Sequence, residues 1–143
     1  MTEDRYNLQR FLTAQQAVYH SALEELERGS KASHWIWYIF PQLKGLGYSS
    51  TAQFYGIAGE DEARAYLQHE ILGPRLITCT QAVIAHDDLS SKQIFGYPDY
   101  LKFRSCMTLF DIVSGDEVLF RQALRIFYND IADPATLELL ARQ

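Results

Sequence analysis

Asp99-Tyr100-Leu101-Lys102-Phe103-Arg104-Ser105-Cys106-Met107-Thr108-Leu109-Phe110-Asp111-Ile112-Val113, preceded by Pro98 and followed by Ser114-Gly115, is the stretch whose reading decides the fold. Phe103, Cys106, Met107, Phe110 and Val113 recur at the spacing of one helical face, and Leu101 and Ile112 fall on the other side. A helix apolar nearly all round belongs at the centre of a helical domain. Arg104, Ser105 and Thr108 cluster between the two apolar sets, and Lys102 points close to Cys106 and Leu109. Charges in such surroundings need a carboxylate, a carbonyl, a solvated cleft or an anionic ligand.

Outward from this helix, punctuation recurs. Asp116-Glu117 opens a helix carrying Val118, Leu119, Phe120, Leu124 and Phe127, and Asp133-Pro134 opens a last one with Leu137 and Leu140. Upstream, Val18, Ala22, Leu23 and Leu26 form a helical stripe that stops at Gly29, with a separate short helix around Leu8, Phe11 and Leu12 ending near Gln15. Acids at Glu60, Asp61 and Glu62 mark another helix start, as does Gly73-Pro74. Ser90-Ser91-Lys92-Gln93 fits a capping box. No strand pair joined by Asn-Gly or Asp-Gly occurs. The expectation is an all-α domain of about seven or eight short helices around an aromatic-rich core.

His34-Trp35-Ile36-Trp37-Tyr38-Ile39-Phe40 departs from this pattern, being aromatic and β-branched, and Pro41 ends it. Both helix and strand are open; a helix is favoured because a lone strand has no partner to hydrogen-bond. On either reading His34 lies among apolar groups.

The composition restricts function. Charged residues are 22% and hydrophobic ones 48%, which excludes disorder. Eighteen acids against thirteen Lys and Arg give a net charge of -5, the wrong balance for a nucleic-acid partner. No apolar run reaches the ~18 residues of a membrane span, and Met1-Thr2-Glu3-Asp4 is no signal start, so a cytoplasmic protein without membrane contact is expected. Cys79 and Cys106, without CxxC spacing, read as packed thiols. His86-Asp87-Asp88 reads as a polar helix end, and no cofactor or metal motif is present.

Ser33-His34-Trp35-Ile36-Trp37-Tyr38-Ile39-Phe40-Pro41-Gln42-Leu43 with Gly45-Leu46-Gly47 resembles the signature of the DUF1810 family. Glu62 to Leu67, Leu72 to Leu76 and Leu101 to Phe110 agree with it. The resemblance covers nearly the whole chain and implies a single DUF1810-like helical domain over residues 1–143, of the Rv1873-like type and monomeric. It implies no activity, because the family is one of unknown function.

Two function classes stay open beside a purely structural reading, in which the aromatic signature is simply the core. In the first, a pocket lined by the His34-Trp35-x-Trp37 and Lys102-x-Arg104-Ser105-x-Met107-Thr108 motifs binds, or acts on, a small planar anionic or nucleotide-like ligand. Trp35 and Trp37 supply the wall, Gln42 an amide, Ser105 and Thr108 hydroxyls, and Arg75, Lys102 and Arg104 positive charge. His34 is the candidate acid or base. Lys44 to Ser50, with two glycines, is a weaker phosphate-loop candidate. In the second, a non-enzymatic interaction module presents Trp35, Trp37, Tyr48, Phe54 and Tyr55 to a partner.

Overall fold

Local capping settles where several helices begin or end. The computed structural model describes residues 4–115 and 117–143, and among them nine helices occur: α1 Gln9–Arg28, α2 Ile36–Ile39, α3 Ser50–Tyr55, α4 Glu60–Gln68, α5 Leu72–Ile84, α6 Ser91–Phe95, α7 Asp99–Val113, α8 Leu119–Tyr128 and α9 Pro134–Ala141. Gly29 ends α1 in the left-handed region at φ 77°, where its N–H meets the carbonyls of Glu25 and Leu26. Ser90 and Gln93 form the expected capping box on α6. The fold is all-α, and its sole extended pairing among the described residues is a parallel bridge between Leu43 and Ile57.

Three details differ from the sequence expectation. The two N-terminal helices are one 20-residue helix, because nothing between Phe11 and Val18 breaks the backbone; buried Gln15 merely interrupts its apolar stripe. His34-to-Phe40 is neither strand nor long helix but the single turn of α2, stopped by Pro41. Asp116 lies outside the described residues, and α8 begins at Leu119.

α7 packs against α2, α4, α6, α8 and α9. Phe103, Cys106, Met107, Leu109 and Phe110 are wholly buried, whereas Leu101 and Ile112 reach solvent. Aromatic rings fill the space around it. Phe103 meets Phe40 edge-on at 4.8 Å and stacks on Phe95 at 4.6 Å, and Tyr66 links Phe110 to Phe11. Two buried acids anchor the shell around this core. Glu62 pairs with Arg10 at 2.7 Å, and Arg10 also donates to the carbonyls of Tyr6, Asn7, Phe54 and Gly56. No helix is long and apolar enough to cross a membrane among the described residues.

Candidate functional site

The site begins with Glu25, which sequence reasoning passed over as one acid among several on α1. Its carboxylate accepts from the N–H groups of Ala32 (2.7 Å) and Ser33 (2.9 Å), the Ser33 hydroxyl (2.6 Å) and the Trp35 indole N–H (2.9 Å). Burial alone would raise its pKa, but these bonds outweigh that and hold the carboxyl down at about 2. The segment entering α2 is thereby fixed, with Trp35 buried and Trp37 turned partly outward.

The loop after α2 is held by the backbone bridge. Ile57 donates to the Gln42 carbonyl at 2.9 Å and accepts from Lys44 N–H at 2.7 Å. Gln42 is thus presented toward the start of α7. Between them lies an open cleft of about 450 Å³ lined by Trp37, Gln42, Gly47, Lys102, Ser105 and Asp133 among others. Such a volume falls within the ordinary range of small-molecule sites.

Lys102 stands over the Trp37 ring at 5.0 Å from its centroid and pairs with Asp99 Oδ1 at 3.3 Å. Asp99 Oδ2 takes Lys31 at 2.7 Å, and Lys31 in turn covers Trp35 at 5.0 Å. Each indole therefore carries an ammonium on its face, with one carboxylate shared between the two cations. Trp37 also borders a second depression of about 280 Å³, together with His34, Trp35, Tyr38, Thr51 and Asp99. Sequence reading put His34 among apolar groups; it is exposed, because α2 is a single turn and His34 precedes it.

The other sequence candidates are used elsewhere. Arg104 donates to the carbonyls of Ile131 (Nε, 2.9 Å) and Ala132 (Nη2, 2.9 Å), clamping the segment before α9. Thr108 donates to the Arg104 carbonyl and accepts from Asp133 N–H. Ser105 borders the cleft but donates to Asp133 Oδ2 at 2.7 Å, an oxygen that also takes the Thr136 hydroxyl at 2.6 Å. Arg75 lies over Tyr19 at 4.5 Å and donates to Gln15 Oε1 at 3.2 Å. The structure thus brings Trp37, Gln42, Lys102 and Ser105 together, sets His34 and Trp35 on the adjoining depression, and leaves Arg75, Arg104 and Thr108 outside both.

A family model described as a protein of unknown function, DUF1810, matches residues 5–140. The chain belongs to the DUF1810 family. This member is similar to the conserved hypothetical protein Rv1873 from Mycobacterium tuberculosis, whose crystal structure at 1.38 Å superposes with a TM-score of 0.95 at 47% identity, covering 96% of this chain and 99% of that one. No curated protein matches it.

Proposed function

We propose that this DUF1810 protein binds a small planar ligand bearing one anionic group, nucleotide-like in outline, in the cleft between α7 and the loop after α2. The observation that supports this reading best is the pairing of Trp37 with Lys102 on one open cleft. The indole offers a flat ring apolar contact, and the ammonium held over its face attracts an acceptor. Lys102 has three N–H donors and spends one on Asp99 at a long 3.3 Å, so donors remain for a ligand. His34, which shares the adjoining depression with Trp37, is the candidate acid or base for any reacting group that extends into it.

A second reading, a protein-interaction surface, draws support from Tyr48, which is 87% exposed at the lip of the cleft, and from Phe54 at 55%. Trp35 drops out of that patch because it is buried on Glu25.

A thermal-shift screen against nucleoside monophosphates, ribose 5-phosphate and inorganic phosphate tests the first reading. A ligand at a hundred times its dissociation constant adds about 2.7 kcal/mol, a shift of several degrees for a chain this size. The shift is expected to vanish in Trp37→Leu and Lys102→Met and to persist in Arg104→Ala and Arg75→Ala, with folding of each variant checked by circular dichroism. A flat screen overturns the reading in favour of the interaction surface, as does a shift that survives both cleft variants.

A further inference from the structure

Resting on the cleft reading above, we infer that Gln42 selects the ligand, its amide reading a ring edge that presents a hydrogen-bond donor beside an acceptor, as the lactam or amidine edge of a nucleobase-like heterocycle does. Gln42 is only 7% exposed, yet its side chain makes no hydrogen bond to any described residue. Gln15, the other buried glutamine, is fully used: Nε2 donates to the Tyr38 carbonyl (2.7 Å) and Tyr66 hydroxyl (3.2 Å), and Oε1 accepts from Arg75. Among the described residues no side-chain N or O wholly shut off from solvent lacks a partner. An unbonded Gln42 amide must therefore open onto the cleft it lines.

An amide whose only outlet is the cleft makes its hydrogen bonds there, to water or to a ligand that displaces it. The bridge to Ile57 flanks Leu43, with the Gln42 carbonyl as one of its two anchors and Lys44 N–H as the other, so the chain just after the Gln42 side chain is tied down. Gly47 lets its backbone pack close to both groups. A Cβ there would stand 3.5 Å from Trp37 Cη2 and 3.8 Å from Gln42 Nε2, and only 2.8 Å from Ala52 Cβ. The indole edge and the amide thus lie side by side next to Gly47 on the wall of the cleft, where a flat ring set against Trp37 turns its edge to Gln42. A carboxamide offers adjacent donor and acceptor, the pattern that pairs with a nucleobase edge in two bonds. Asp133 completes the chemistry: Oδ2 is taken by Ser105 and Thr136, while Oδ1 has no side-chain or backbone donor among the described residues. Its charge favours a ligand hydroxyl or N–H and disfavours a second anionic group in the cleft.

Calorimetry with UMP, GMP, AMP and ribose 5-phosphate tests this without relying on a variant alone. Each base-bearing probe is paired with an analogue methylated on the reading edge, at N3, N1 or N6,N6 respectively. We expect methylation of the tightest binder to cost about tenfold, the scale of one neutral hydrogen bond. Gln42→Met should bring that nucleotide down toward ribose 5-phosphate, whose own affinity stays unchanged. If methylation costs less than about threefold and Gln42→Met binds like the wild type, Gln42 is merely hydrated and the inference falls while the cleft stands. If no probe binds the wild type, the cleft reading falls first.

Discussion

Glu25→Gln removes one negative charge from the point where α1 grips the segment entering α2. In the folded protein the carboxyl is held at about 2, against an ordinary 4.5, by four bonds to Ser33, Ala32 and Trp35 that outweigh its burial. A depressed carboxyl contributes stability that is fully present above its unfolded pKa and is lost as pH falls from 4.5 through about 2. At about 1.4 kcal/mol for each tenfold change in proton affinity, the bond set is worth at most roughly 3 kcal/mol, less where solvent screens its rim. A glutamine keeps one acceptor oxygen and turns an NH₂ toward groups that are themselves donors. Urea unfolding followed by tryptophan fluorescence should show the variant about 2–3 kcal/mol less stable at neutral pH, or roughly 6–10 °C lower in Tm. The gap should then close between pH 4.5 and 2, since a protonated Glu25 resembles the amide. All other carboxylates titrate in both chains and cancel in the difference. A gap below about 0.5 kcal/mol at neutral pH, or one that stays constant with acid, would refute the reasoning.

Two further outcomes follow from buried groups. Arg10→Ala strands the Glu62 carboxylate, 5% exposed, with one remaining bond from Ala58 N–H; the expected cost is about 3–5 kcal/mol by urea unfolding, and adding Glu62→Gln should recover part of it. A cost under about 1 kcal/mol, as for a surface pair, would contradict the burial argument. Cys79 and Cys106 are both buried, and burial pushes Cys79 up to about 12 and Cys106 well above the ordinary thiol value. Neither should react with an aromatic disulfide reagent at pH 8 until the protein unfolds, and rapid labelling of either native thiol would count against this packing.

Helix boundaries were legible because capping is a local affair: Gly29, the Ser90–Gln93 box and Pro134 each act within a few residues of the end they define. The failures came from tertiary partners. Gln15 looks like a break in the first helix until Tyr38 and Tyr66, 23 and 51 residues away, accept its bonds. Glu25 looks like surface charge until Trp35 meets it, and Arg75 and Arg104 look like anion clamps until Gln15 and the Ile131 and Ala132 carbonyls occupy them. A sequence shows that a buried cation needs a partner. It does not show that a backbone carbonyl 27 residues on will be that partner.

The cleft itself follows from the helical period applied twice to α7 and the residue before it. Phe103, Cys106, Met107 and Phe110 step by three, one and three and are wholly buried. Pro98, Leu101, Lys102 and Ser105 step by the same three, one and three, and all four line the cleft. One stripe is core and the other is wall, offset by about 140° around the axis. Arg104 follows Lys102 by two residues, about 200° around an ideal helix, so it cannot share that wall. The polar cluster of Arg104, Ser105 and Thr108 is therefore divided by geometry: Ser105 borders the cleft, while Arg104 and Thr108 hold the segment leading into α9. Because the core and wall stripes share one rigid helix, substitutions on the wall at Lys102 can be read as effects on the cleft, provided the stripe beneath stays packed.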